Sequence, residues 1–266
     1  MQRSVTNPGH PGHPGVPPFA ERETWGPYSP CGPDCLPPST TRAPLRVARR
    51  LAALVGLALL APLLLAVARQ TLHRLVLRAA GVRLRVVGTL GPDGLVVANH
   101  LSWIDVVALG AVAPVRMIAK AEVADWPVIG PLAARTGALF VDRARISGLP
   151  AVVADTAAAL RAGALVGVFP EGTTWCGVAA GPFRRAPFQA ALDARVPVRP
   201  VRITFTLPDG RPTTAGAFLG DETLADSLLR VLRLPRLDCT LTVLPPLAPT
   251  GDRRTLAARA ERLIAA

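Results

Sequence analysis

His100 and Asp105 are of the right types, at the right spacing, for acid–base chemistry. They stand in the run Val96-Val97-Ala98-Asn99-His100-Leu101-Ser102-Trp103-Ile104-Asp105, where an apolar strand-like stretch ends in Asn-His and a carboxylate follows. A histidine at a strand end can act as a general base near neutral pH. A carboxylate at the start of the next helix can reach back and hold the imidazole in one tautomer, as the third member of a hydrolase triad does. No serine or cysteine nucleophile stands at a matching place, so the pair points to a base that activates a hydroxyl on the substrate itself. The same spacing also suits a helix-capping aspartate beside a structural histidine, and the pair alone does not separate the two.

Three later segments add weight. Gly137-Ala138-Leu139-Phe140-Val141-Asp142-Arg143 reads as a short buried strand ending in a charged pair. Val168-Phe169-Pro170-Glu171-Gly172-Thr173-Thr174 is a second strand end that breaks at Pro into an acidic, glycine-containing loop. Val196-Pro197-Val198-Arg199-Pro200-Val201 leads into a third strand. In this order, the four segments resemble the glycerolipid acyltransferase family, that of bacterial 1-acylglycerol-3-phosphate acyltransferase, over about residues 82 to 245. The family's blocks are Asn-His-x4-Asp, Gly-x-x-Phe-(Ile/Val)-Asp-Arg, Phe-Pro-Glu-Gly-Thr and Val-Pro-(Val/Ile)-x-Pro-Val. One block is a weak signal; the ordered set is a specific one.

The resemblance implies an α/β domain with a mixed sheet flanked by helices, behind an N-terminal membrane anchor. It implies transfer of a fatty acyl group from acyl-CoA or acyl carrier protein to a hydroxyl of a lysolipid acceptor, with no cofactor and no metal. 1-Acylglycerol-3-phosphate is the leading acceptor and phosphatidic acid the product. His100 would take the hydroxyl proton and Asp105 would stabilise the imidazolium. The third block implies acceptor binding by Glu171, Gly172 and Thr173, with backbone N–H groups around Gly172 as candidate oxyanion donors. Glu171 as a helix cap or ion-pair partner is the alternative. Arg143 would be a bidentate phosphate ligand, or an ordinary surface partner of Asp142. Lys120 would help bind a phosphate, or simply end its strand in solvent.

One departure bears on the acceptor. The phosphatidic-acid-forming members usually continue the third block as Gly-Thr-Arg-Ser, whereas this chain has Gly172-Thr173-Thr174-Trp175. That removes one possible phosphate ligand, for which Arg184 and Arg185 could substitute. The Gly-Thr-Thr version is similar to that of lyso-ornithine-lipid acyltransferases and some lysophospholipid acyltransferases. A thioesterase, with water in place of the acceptor, and an inactive lipid-binding protein are the competing functions. His100, Asp105, Glu171 and Gly172 are poor choices for purely structural strand ends, which argues against the latter.

The elements that must position these residues follow from patterning. At 266 residues the chain has room for one sizeable α/β domain plus appendages. Half of the residues are hydrophobic, which is high for a soluble protein and points to membrane contact. The net charge of +12 rests almost wholly on arginine, since Lys120 is the sole lysine. That balance suits an anionic membrane face or a phosphorylated substrate. Nucleic acid is disfavoured: no helix-turn-helix, zinc-finger or stacking-platform pattern is present.

Residues 1–44 are rich in Pro, Gly, Ser and Thr and read as a disordered tail. Within them His10, His13, Cys31 and Cys35 make a possible zinc set, but no core-forming pattern supports it. Residues 45–80 read as an anchor and an interfacial helix. Leu51 to Ala68 carries no charge and is just long enough to cross a hydrocarbon core. A cleaved signal peptide is disfavoured, because about 50 residues precede this stretch. Arginines flank both of its ends, so they do not decide orientation. The expected location is the cell membrane, with the catalytic domain facing the cytoplasm. From Arg69 to Ala80, Leu72, Leu75, Val76 and Ala79 share one face, with Arg74 and Arg78 opposite, as an interfacial helix requires.

Residues 81–266 read as the catalytic domain, alternating in α/β fashion. Strands are expected at Leu84–Val86, Leu95–Ala98, Val115–Ala119, Leu139–Val141, Leu165–Phe169, Val198–Phe205 and Cys239–Leu244. Helices are expected at Trp103–Ala111, in pieces over Glu122–Thr136, and at Leu149–Ala162, Gln189–Ala194, Leu224–Leu232 and Arg253–Ala265.

Overall fold

The structure, a computed structural model, describes residues 28–38, 43–141 and 148–266. Two helices lead in, α1 (Pro44–Val67) and α2 (Arg69–Ala80). The order is then β1 (Val82–Val87), β2 (Gly94–Ala98), α3 (Trp103–Val112), β3 (Arg116–Lys120), α4 (Ile129–Arg135), β4 (Leu139–Val141), α5 (Leu149–Arg161), β5 (Leu165–Val168), α6 (Ala186–Ala194), β6 (Val198–Thr206), α7 (Leu224–Arg233), β7 (Leu237–Val243) and α8 (Arg253–Ala265).

Among the described residues the strands form one seven-stranded sheet in the order β1-β7-β6-β2-β5-β3-β4. Strands β6, β2, β5, β3 and β4 are mutually parallel. Strand β7 runs antiparallel to β6 and parallel to β1, so the sheet is mixed. Parallel neighbours put their carboxyl ends on one edge, which is where ligand crevices form in open α/β sheets.

The alternating side chains of β2 explain why it sits centrally. Val96 and Ala98 enter a core with α2, α3 and α7, while Leu95 and Val97 enter a second core with α5, α6 and α8. A strand buried on both faces reads as an unbroken apolar run, and each fully buried Leu or Val contributes about 1.5–3 kcal/mol. Helix α6 begins at Ala186, three residues before the expected start, because Pro187 falls in its first turn, where no intrahelical N–H is needed.

Helix α1 begins at Pro44, ahead of the uncharged run, and so includes Arg46, Arg49 and Arg50. Its first turns belong to the globular body: Val47, Leu51 and Leu54 pack against the α2–α3–α7 core. The Arg50 guanidinium donates to the carbonyls of Leu232 and Leu234, and Arg46 donates to that of Arg233. These cations satisfy and oppose the negative end of α7. Beyond them the helix exposes Val55, Leu59, Leu60, Leu63 and Val67, with Ala61 alone buried. A 24-residue helix of this hydropathy fits a membrane anchor.

Helix α2 is partly built into the domain. It buries Leu72, Leu77 and Ala80, and packs along α3. Gln70 and Arg74 donate to the carbonyls of Val112 and Ala111 at the end of α3. Of the face expected to meet lipid, Leu72 is buried and Leu75 stays exposed.

Residues 28–38 lie within the stretch read as a disordered tail, and in the structure they pack on the domain. A short 3-10 turn, Pro33–Cys35, follows the buried Cys31.

Candidate active site

Strand β2 delivers His100 to the carboxyl edge of the sheet, and the segment after it turns directly into α3. Asp105 lies in the first turn of that helix and is fully buried. Its Oδ2 accepts the backbone N–H groups of Leu101 at 2.6 Å and Ser102 at 2.8 Å, and the same oxygen lies 3.0 Å from His100 Nδ1. Asp105 therefore caps α3 and lies against the imidazole with the same oxygen. With Asp105 as acceptor, Nδ1 donates and Nε2 keeps its lone pair, the arrangement a general base needs. The His100 side chain is 20% exposed, against 0% for Asp105.

The third block clamps His100 from behind. Phe169, just past the end of β5, stacks on the imidazole with centroids 3.9 Å apart and planes 5° from parallel. Glu171 Oε2 accepts the His100 backbone N–H at 2.6 Å, and the backbone N–H of Trp175 donates to the His100 carbonyl at 2.8 Å. Ring, amide and carbonyl of one residue are thus all held by a loop some seventy positions downstream.

Glu171 faces inward. It is 5% exposed, and its Oε1 accepts the N–H of Gly181 at 3.1 Å. Burial pushes its pKa up to about 7; the two amide donors oppose this and are outweighed. Both oxygens of this carboxylate thus brace the loop against the backbone of His100 and Gly181. Gly172 adopts φ +79°, which explains the glycine, and its N–H donates to the Phe169 carbonyl within the turn. Thr173 and Thr174 are half-buried, while Arg184 and Arg185 are exposed.

Lys120 ends β3 and is exposed; it is paired in register with Val141, where β4 ends. Because β5 separates β2 from β3, His100, Glu171 and Lys120 follow neighbouring strands on one sheet edge. Asp142 and Arg143 lie outside the described residues, as do His10 and His13.

Two contributors had no assigned role in the sequence reading. Asn99 donates through Nδ2 to the Ile203 carbonyl at 2.9 Å and accepts the Ile203 N–H through Oδ1 at 2.8 Å. Its side chain extends the β2–β6 ladder by one more pair, immediately before His100. An asparagine closing an apolar strand is the available signal, since its amide matches a backbone unit in donors and acceptors. The stacking partner Phe169 left no comparable signal, because a buried phenylalanine at a strand end is ordinary core.

The comparisons with known proteins follow this geometry. A family model described as Acyltransferase matches residues 82–204. The lyso-ornithine lipid O-acyltransferase of Brucella abortus is 38% identical over 212 residues, covering 73% of this chain and 79% of the relative. That of Pseudomonas aeruginosa is 39% identical over 170 residues, covering 63% and 65%. The 1-acyl-sn-glycerol-3-phosphate acyltransferase of Neisseria gonorrhoeae is 34% identical over 147 residues, covering 55% and 57%. The chain thus spans slightly under two thirds of the Pseudomonas relative and over half of the Neisseria one. The crystal structure of the 1-acyl-sn-glycerophosphate acyltransferase PlsC from Thermotoga maritima has the same fold, with a TM-score of 0.57 at 20% identity over 82% of this chain and 94% of that one. By family model, relatives and fold, the chain belongs to the acyltransferase family.

Proposed function

We propose that the protein transfers a fatty acyl group from a thioester, acyl-CoA or acyl carrier protein, to the free hydroxyl of a lysolipid. The observation that carries this is the His100 Nδ1–Asp105 contact of 3.0 Å, which leaves Nε2 as the available base at the carboxyl edge of the sheet. His100 Nε2 takes the hydroxyl proton as the oxygen attacks the thioester carbon. The C–S bond then breaks, and the imidazolium returns the proton to the leaving thiolate. An ester and a free thiol result, and no enzyme nucleophile or resident cofactor is consumed. Asp105 stabilises the imidazolium between the two proton transfers.

For the acceptor, 1-acylglycerol-3-phosphate is supported by the ordered four blocks and by the name of the Neisseria relative. A second reading, lyso-ornithine lipid, is favoured by Thr174 in the third block and by the names of the Brucella and Pseudomonas relatives. Under either reading Lys120 and Arg143 are the cations nearest in sequence to the carboxyl ends of β3 and β4, suited to an anionic head group.

The reaction belongs at a membrane surface, with the catalytic domain on the cytoplasmic side. The stretch of α1 that exposes its apolar side chains, from Val55 to Val67, is about 20 Å long at the helical rise. That is short of a hydrocarbon core of about 30 Å. We therefore read α1 and the turn into α2 as entering one leaflet.

The deciding experiment incubates purified full-length protein with a labelled acyl thioester, with and without a panel of lysolipids. Label in a diacyl product supports the proposal and identifies the acceptor. Free fatty acid released at the same rate with or without lysolipid would establish a thioesterase, and no turnover of any donor would establish an inactive lipid-binding protein.

A further inference from the structure

Cys31 and Cys35, four positions apart, meet the distant Cys176 beside the third block. The sulfurs of Cys31, Cys35 and Cys176 all lie within 4.8 Å of one another. Three thiolates on one tetrahedral zinc ion, each bond about 2.3 Å, sit about 3.8 Å apart, so closing this set needs only small side-chain adjustments. Cys31 and Cys176 are buried beside Trp175, Ala217 and Leu219, and Cys35 is half-buried at the rim.

Backbone amides are aimed at two of the three sulfurs. The backbone N–H of Cys176 points at Cys31 Sγ at 3.4 Å, and that of Ala179 at Cys176 Sγ at 3.5 Å. Amide donors aimed at sulfur compensate the negative charge a coordinating thiolate carries. The strap is also tied to its site: Cys35 N–H closes the 3-10 turn on the Gly32 carbonyl, and Thr214 Oγ1 donates to the Cys35 carbonyl at 2.6 Å. Backbone turn and tertiary contact thus present Cys31 and Cys35 together to Cys176, without any apolar periodicity in the segment to account for its docking.

We propose that Cys31, Cys35 and Cys176 bind one thiophilic divalent cation, zinc, with the fourth position left to solvent. The ion staples residues 28–38 to the loop whose Trp175 N–H holds the His100 carbonyl. It is a structural site, separate from the acyl-transfer chemistry, and stands whether or not that reading does.

The test is the zinc content of full-length protein, expressed with zinc and purified under reducing conditions. One zinc per chain is expected, falling below a tenth in Cys35→Ser and Cys176→Ser and unchanged in Cys239→Ser, whose thiol is elsewhere in the core. Alkylation of the unmodified protein gives a second measurement that does not depend on variant folding. Zinc should shield Cys31, Cys35 and Cys176 from iodoacetamide, and a chelator should release all three together. Metal-free protein that takes up no added zinc at micromolar concentration would overturn the proposal. So would zinc retained in both ligand variants, or an intact mass showing a disulfide among the three cysteines.

Discussion

The backbone of His100 is held by Glu171: the Glu171 Oε2 receives the His100 N–H at 2.6 Å, while the imidazole of His100 looks away toward Asp105. The acidic residue of the third block therefore acts on His100 through the main chain, as a brace with both oxygens on backbone amides. The division of labour is physical. Asp105 sets the tautomer, Phe169 sets the ring plane, and Glu171 with Trp175 fixes the peptide that carries the ring.

Glu171 should make stability depend on pH in an unusual direction. Burial raises its folded pKa to about 7 from 4.5, so the folded state holds this proton more tightly than the unfolded chain does. The contribution is fully present below pH 4.5 and is lost as pH rises through 7; the span corresponds to about 3 kcal/mol. In urea unfolding in detergent, the stability of the parent protein relative to Glu171→Gln should fall across this window. A flat difference between the two would show that Glu171 is ionised throughout.

His100→Ala should lower kcat by about 10²–10⁴-fold, the usual contribution of a positioned base, with the fold and membrane association retained. Asp105→Asn should lose activity to a similar degree and also unfold more easily. Its carboxylate serves two backbone N–H groups at the start of α3 as well as the imidazole. Single-turnover rates together with melting temperatures separate the two effects. Near-normal turnover by folded His100→Ala would rule out the base.

Asn99→Ala should cost about 1–3 kcal/mol, because it strands the N–H and C=O of Ile203. It should also lower kcat more than it changes KM, since the end of β2 carries His100 and not the lipid. Asn99→Asp keeps the contact to the Ile203 N–H and turns an acceptor toward its carbonyl, so it should be nearly as damaging. Equal stability of Asn99→Ala and parent in urea would show that water replaces the clamp.

Thr174→Arg should shift preference toward a phosphorylated acceptor by about tenfold in kcat/KM, close to one charge-assisted pair of about 1.5 kcal/mol. Arg143→Ala should shift it the other way. Competition between lysophosphatidate and lyso-ornithine lipid in one reaction reads the ratio directly. If Arg143→Ala weakens both acceptors alike, this arginine serves the donor or the fold.

Full-length protein should sediment with membranes and resist extraction by high salt, because apolar burial is not screened. A chain truncated to begin at Arg69 keeps α2 on α3 and should be largely released by salt. Recovery of a secreted protein beginning at Arg69 would instead identify Leu51 to Ala68 as a cleaved signal.

Local patterning determined a large share of this protein. Apolar runs bounded by Pro, Gly and polar residues placed β2, β4, β5 and β6 within a residue or two, and the His100–Asp105 spacing announced that these two side chains meet. Those features depend on neighbours a few positions away, so they are legible in the chain. The role of Glu171, the clamp from Asn99 to Ile203, the docking of α2 on α3 and the convergence of Cys31 and Cys35 on Cys176 were decided only by tertiary structure. In each case the partner lies between 42 and 145 positions along the chain. Which residue it is depends on strand order: β5 and β6 flank β2, so the loop after β5 meets His100 and the one after β6 meets Leu101. A carboxylate on a glycine-containing loop looks the same in sequence whether it will meet a lipid or a buried amide. Burial, which decides between them, is a property of the packed molecule.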